Sequence, residues 1–186
     1  MQHPDVLKAA EIISMGGVIA YPTEAVWGLG CDPWSKHAVY QVLDIKHRPV
    51  EKGVILIGAD EDQFAPLLDP LSREDRQRLL SCWPGPYTWL IPDPNNWVPE
   101  WVKGQFETVA VRISAHPVVQ ELCRTVGHPI ISTSANRAGE SPLLTHSAVE
   151  QEFSKQLGVI IHGKTGDQSA PSEIRDLRTG QLIRAG

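Results

Sequence analysis

At 186 residues the chain is long enough for one domain with a full core, and 41% hydrophobic with 21% charged residues is an ordinary globular balance. A net charge of −5 excludes a surface that is basic overall, so any polyanion-binding function has to be local. No apolar run approaches the roughly 20 residues that span a bilayer, and Met1-Gln2-His3-Pro4-Asp5 carries no basic segment leading into an apolar stretch, so a cytoplasmic protein without leader or membrane anchor is expected. Three widely spaced cysteines, Cys31, Cys82 and Cys123, give no disulfide framework and no zinc spacing.

In chain order, residues 5–15 have helical spacing (Val6, Ala9, Ala10, Ile13) and stop at Gly16-Gly17, where a left-handed cap fits. Residues 18–21 read as a buried strand ended by Pro22. Ser35 caps a helix running to Lys46, with Val39, Val42 and Leu43 on one face and Pro49 beyond its end. Residues 54–57 form a strand. A charged helix follows over 71–82 with Leu79 and Leu80 inward, and Trp83-Pro84-Gly85-Pro86 turns the chain into a strand over 88–91. A strand over 109–113 carries Arg112 among apolar residues. His116-Pro117 opens a helix to Val126, closed by Gly127, and residues 129–132 return as a strand. A helix over 145–153, a strand over 159–162 and two short strands around Thr179-Gly180 complete the chain. Without repeats, low-complexity linkers or composition breaks, residues 1–186 are expected to form a single α/β domain.

Two phosphate-binding patterns have to be set aside. Gly158-Val159-Ile160-Ile161-His162-Gly163-Lys164-Thr165 fits G-x-x-x-x-G-K-[ST], yet its interior is strand-forming and Gly166-Asp167-Gln168-Ser169-Ala170-Pro171 cannot start the helix that motif requires. Gly28-Leu29-Gly30 lacks the third glycine of a dinucleotide fingerprint and reads as a turn.

The chemistry concentrates elsewhere. Lys46, Arg48 and Lys52 put three cations within seven residues. Ser132, Thr133, Ser134 and Asn136 put hydroxyls and an amide directly after a strand. Cations with small hydrogen-bonding side chains at strand ends suit a polyphosphate. Basic residues at a helix C-terminus also complement its dipole, and Ser, Thr and Asn also bond their own backbone, so each string alone has a structural reading. Arg112, flanked by Val111 and Ile113, requires an anionic partner, either a structural carboxylate or a ligand.

Six blocks in order, Tyr21-Pro22-Thr23-Glu24-Ala25-Val26-Trp27-Gly28-Leu29-Gly30, Lys46-His47-Arg48-Pro49, Trp83-Pro84-Gly85-Pro86-Tyr87-Thr88, Val109-Ala110-Val111-Arg112-Ile113, Ser132-Thr133-Ser134-Ala135-Asn136 and Leu182-Ile183-Arg184-Ala185-Gly186, resemble the YrdC family, in particular its short bacterial members, from about Ile13 to Gly186. The resemblance implies a twisted open mixed sheet with flanking helices around a basic concave groove. It implies a nucleotidyltransferase reaction joining L-threonine, bicarbonate and ATP, with Mg²⁺ accompanying the ATP and no organic cofactor, into threonylcarbamoyl-AMP and pyrophosphate. Separate partner proteins then pass the threonylcarbamoyl group to the adenosine beside the anticodon of tRNAs reading codons that begin with A, so tRNA contact is expected to be weak or indirect.

Carried over by position, Lys46, Arg48, Ser134 and Asn136 are the implied catalytic set. The nucleotide falls to Lys46, Arg48, Lys52, Thr108, Ser132, Ser134, Asn136 and Arg184, and threonine to Thr23, Arg112 and Ser172. No protein ligand to a metal is implied. Lys52, Ile57 and Glu173 depart from longer relatives, which carry Asn, His and Thr there, and no second C-terminal domain is expected. Tyr21 and Trp27 are expected as apolar walls that keep water from a labile mixed anhydride. Two rival readings stand beside this one. A non-catalytic RNA-binding module is opposed by the negative charge and by aromatics at only 6%, and a carbamoyl-phosphate-using transferase would need no adenine site.

Overall fold

Strand side chains alternate between two faces, and in this chain both faces are apolar. In the computed structural model, which describes residues 3–185, Val18 and Ala20 join one core while Ile19 and Tyr21 join another; Leu56 and Ile131 likewise oppose Ile57 and Ile130. Such a sheet has to be covered on both sides. The expectations resting on Met1, Gln2 and Gly186 lie outside the described residues.

The helices are α1 (Pro4–Ser14), α2 (Lys36–Lys46), α3 (Ala65–Leu68), α4 (Arg73–Leu80), α5 (Glu100–Lys103), α6 (Pro117–Val126) and α7 (His146–Phe153). The strands are β1 (Ile19–Pro22), β2 (Trp27–Gly30), β3 (Ile55–Gly58), β4 (Tyr87–Pro92), β5 (Thr108–Ile113), β6 (Ile130–Ser134), β7 (Val159–Ile160), β8 (Glu173–Asp176) and β9 (Leu182–Arg184). Among the described residues these strands form one mixed sheet in the order β7-β1-β2-β6-β3-β5-β4-β8-β9. Pairs β1–β7, β3–β5 and β4–β8 are parallel, and the others are antiparallel. This is the single-domain α/β fold with a mixed sheet that the sequence predicts.

Most local expectations hold for the reasons given. The Ser35 hydroxyl accepts from the Ala38 N–H, and α2 ends where His47 turns left-handed at φ 50°. Gly127, at φ 86°, caps α6. Two expectations fail. Leu80 is 40% exposed, because the eight-residue α4 is shorter than 71–82 and turns only Leu79 fully inward. Gly28-Leu29-Gly30 is a strand, not a turn: Gly28 lies opposite Tyr21, and a Cβ on Gly30 would stand 2.6 Å from the Ile131 carbonyl oxygen and 2.7 Å from the Tyr21 ring. The glycines make room for a buried tyrosine between strands, a tertiary requirement that local turn signals mimic.

Coverage of the sheet is uneven, and this creates the site. One face carries a continuous core with α2 and α7, running from Val18 and Trp27 through Leu56, Trp89 and Val111 to Leu177. On the other face α1 and α6 bury Ile19, Tyr21, Ile57 and Ile130. The residues that continue this second face, Ser132 and Ser134 on β6, Ile55 on β3, Thr108, Ala110 and Arg112 on β5 and Leu90 on β4, have no helix over them. They floor a cavity.

Candidate active site

The cavity measures about 440 Å³, within the range of small-molecule sites. Its walls come from the β1–β2 turn (Thr23, Val26, Trp27), the segment after α2 (Arg48, Lys52, Gly53), α5 with its following loop (Val102, Lys103, Phe106), Pro142, Pro171-Ser172 and β9 (Ile183, Arg184). Gly53 lets two of these walls meet: at φ 62°, a Cβ there would lie 2.6 Å from the Lys103 carbonyl oxygen. Backbone bonds Val54 N–H to Val102 O (2.9 Å) and Gln105 N–H to Glu51 O (3.1 Å) fix that junction.

Nine of the residues singled out by sequence converge here: Thr23, Arg48, Lys52, Thr108, Arg112, Ser132, Ser134, Ser172 and Arg184. Arg48 is steadied by bonds from Nε and Nη2 to the Gly53 carbonyl (3.2 and 2.9 Å). Arg184 Nη2 donates to the Ser172 carbonyl at 2.7 Å, and Ser172 and Thr88 hydroxyls bond each other at 2.8 Å. The Thr23 hydroxyl donates to the Val26 carbonyl at 2.8 Å, which fixes its side chain in the turn that lines the cavity.

The electrostatics are those of an anion site. Burial, then the charge of Arg184, lowers the pKa of Arg48; burial, then the charge of Arg112, lowers that of Arg184. Three guanidinium groups therefore crowd one another, and no Asp or Glu is among the lining residues. Lys103, a further cation in the wall, is paired with Asp93 (3.2 Å) and Asn96 (2.9 Å).

Lys46 and Asn136 do not line the cavity, although sequence placed them on the phosphates. Lys46 is 3% exposed, and its ammonium donates to the carbonyl oxygens of Ser134 and, at 2.8 Å, Asn136. The helix-end cation is a buried peg that holds the 134–136 backbone against α2. Burial, then the neighbouring Arg48, pushes its pKa down to about 8. Asn136 Nδ2 donates to the carbonyls of Arg137 (2.8 Å) and Glu140 (2.9 Å), shaping the next turn, while its Oδ1 is buried without a partner.

Of the two alternatives for the anionic partner of Arg112, the structure shows the structural carboxylate, and the side chain also lines the cavity. Its Nη2 lies 2.5 Å from Glu24 Oε2, and its Nε donates to the Gly85 carbonyl at 3.1 Å. Tyr21 is not a cavity wall: it is fully buried beneath the sheet, its hydroxyl donating to the Ile131 carbonyl at 3.0 Å, whereas Trp27 does line the cavity. Ile57, opposite Arg112, and Glu173, paired with Arg175, also lie outside the lining. Sequence reasoning missed Lys103, Phe106 and Ile183. Phe106, half-exposed between Gln105 and Glu107 with no amphipathic pattern to claim it, was the legible one. Lys164 of the decoy motif is exposed and outside the lining, and no helix follows it.

Among the described residues, no helix is long and apolar enough to cross a membrane. The Sua5_yciO_yrdC family model, described as telomere recombination, matches residues 11–186. A protein of Cellvibrio japonicus (strain Ueda107) named threonylcarbamoyl-AMP synthase is 50% identical over 182 residues, covering 98% of this chain and 96% of its own length. Among solved structures, P. abyssi Sua5 complexed with L-threonine superposes with a TM-score of 0.91 at 30% identity over 99% of this chain, which spans 54% of that longer one. E. coli YciO gives 0.86 at 27% identity, covering 98% of this chain and 89% of its own. By its matched length and its identity to these relatives, the chain belongs to the Sua5/YciO/YrdC family.

Proposed function

We propose that the protein is a threonylcarbamoyl-AMP synthase, which joins L-threonine, bicarbonate and ATP with release of pyrophosphate, the first step of tRNA threonylcarbamoyladenosine modification. The observation that carries this reading is the convergence of Arg48, Arg112 and Arg184 on a single cavity whose lining holds no carboxylate. Relatives of that name at about half identity over nearly the full length support it.

Threonine's amine and bicarbonate condense to a carbamate, whose oxygen attacks the α-phosphorus of ATP while the bond to pyrophosphate breaks. Both reactants are anions, so the barrier includes bringing like charges together. Arg48, Lys52 and Arg184 offset that repulsion and the charge gathering on the leaving pyrophosphate. Hydroxyls of Thr108, Ser132 and Ser134 orient the nucleotide. Arg112, with Thr23 and Ser172, holds the amino acid. Lys46 and Asn136 act by positioning the 132–136 backbone. Mg²⁺ enters with the triphosphate as part of the substrate. No covalent nucleophile is required, because positioning and electrostatics supply the acceleration. A cavity of this volume is of small-molecule size and too small for an anticodon stem. Transfer to tRNA, in the cytoplasm, accordingly falls to separate proteins, with tRNA itself touching this chain weakly.

The test is pyrophosphate release. It should require threonine, bicarbonate and ATP together. Equal release from ATP alone would replace this reading with a nucleotide hydrolase, and threonine-independent use of carbamoyl phosphate would replace it with a transferase.

A further inference from the structure

We propose that Glu24 is a positioning residue for substrate selection: it fixes the guanidinium of Arg112 so that the remaining edge presents a defined fork to the amino-acid carboxylate. This rests on the assignment of Arg112 to the amino acid. An arginine offers five N–H groups on three nitrogens in a rigid plane. Here Nε is taken by the Gly85 carbonyl and Nη2 stands against Glu24 Oε2, while Nη1 has no partner among the described residues. The plane is held along one edge, and Nη1 is the nitrogen left unpaired beyond it.

Glu24 is built to stay where it is. It is 8% exposed, and its Oε1 accepts from both the Ser114 hydroxyl and the Ala115 N–H, each at 2.9 Å. The Ser114 hydroxyl is itself held by the His116 N–H at 3.0 Å, and the Glu24 carbonyl accepts from the Gln168 N–H at 3.1 Å. Burial works against the carboxylate, but Arg112 and these donors outweigh it, and its pKa lies below the usual glutamate range.

A charge argument separates positioning from mere neutralisation. In a cavity that gathers anions, a carboxylate behind the wall weakens anion attraction. Its gain is geometric, because a guanidinium tethered at Gly85 alone could swing and would bind a carboxylate through one nitrogen instead of two. Removing the charge should therefore act in opposite directions on two ligands. Threonine, which needs the fork, should bind worse, and pyrophosphate, which needs only positive charge, should bind better.

The experiment compares wild type, E24Q, E24D and S114A for threonine KM, ATP KM, inhibition by added pyrophosphate and melting temperature. In E24Q an amide N–H faces Arg112. Its threonine KM should rise about tenfold or more, with ATP KM nearly unchanged and pyrophosphate inhibition tightened. E24D, which keeps the charge, should recover part of the threonine affinity. S114A, which removes one of the two donors to Oε1 together with the acceptor of the His116 N–H, should show a smaller rise in threonine KM and keeps the test open if E24Q folds poorly. Threonine KM unchanged in E24Q and S114A, or threonine and pyrophosphate weakening together with melting temperature, overturns the inference while leaving the synthase reading intact. Absence of threonine-dependent release in the wild type overturns both.

Discussion

Replacing Lys46 with methionine tests whether that lysine is a peg or a phosphate ligand. The side chain is 3% exposed and donates to two carbonyls, those of Ser134 and Asn136. Leaving the Asn136 carbonyl unpaired costs about 1–3 kcal/mol, and the Ser134 carbonyl, which also accepts from the Asn136 N–H at 3.0 Å, loses about 1 kcal/mol more, for about 2–4 kcal/mol together. Against this, burial has moved the lysine pKa from 10.5 to about 8, which means the charged form costs about 3 kcal/mol at neutral pH, and methionine removes that cost. The expected net change at pH 7 is thus close to zero, between about −1 and 1 kcal/mol.

The sign of the pH dependence is distinctive. The folded pKa is depressed below the unfolded value, so the contribution to stability is gained as pH rises from about 8 to 10.5 and lost again as pH falls through 8. A neutral amine still has two N–H groups for two carbonyls. The stability gap between wild type and Lys46→Met should therefore rise from about −1 to 1 kcal/mol at pH 7 to about 1–3 kcal/mol near pH 10. Urea unfolding of both proteins at the two pH values measures it, and pyrophosphate release should fall in the variant as the 132–136 backbone loosens. A gap that stays constant or narrows with pH would refute the buried-peg account. Full stability at pH 10 with abolished ATP binding would return Lys46 to the phosphates.

Arg48→Ala removes a cavity cation with modest structural bonds, so pyrophosphate release should drop on the order of 10²–10³ while urea unfolding shifts by no more than about 1 kcal/mol. Arg112→Lys keeps the charge and loses the fork, and kinetics should show a raised threonine KM with ATP KM barely changed; equal weakening of both would place Arg112 on the phosphate side. Lys164→Ala should leave the rate within a few-fold in the same assay. Free tRNA should bind weakly and lose affinity steeply with salt, and a tight complex persisting at high salt, with tRNA competing against ATP, would favour an RNA-binding module. Glu24's lowered pKa predicts that its contribution to stability is complete above about pH 4.5 and lost as pH falls further, so acid unfolding of E24Q should lack that increment.

Much of the fold was legible because its signals are local. Ser35 before a helical pattern, Gly127 after one and apolar runs of four residues each depend on a few neighbouring positions, and local backbone physics decides them. Gly28 and Gly30 misled, because their reason is a tyrosine ring on the neighbouring strand and a carbonyl 101 residues away from Gly30. Leu80 misled because the length of α4, and hence which face turns inward, depends on what it packs against. The anionic partner of Arg112 could be demanded from sequence, since an arginine between apolar strand residues needs one, but Glu24, 88 positions earlier, could not be chosen over other carboxylates without the fold.

The same division runs through the site. Sequence by itself pointed to a candidate phosphate site, through the cations and hydroxyls in the strings around Lys46 and Ser132 and their family order. Only the tertiary structure decided which of them face it. That depends on the parity of each strand and on where α1 and α6 stop covering the sheet, and it sent Arg48, Lys52, Arg112, Ser132, Ser134 and Arg184 to the cavity. It sent Lys46, two residues from Arg48 in sequence, to the carbonyls behind the wall, because a helix C-terminus and a strand end meet there and the backbone oxygens of residues 134 and 136 can accept from a buried donor.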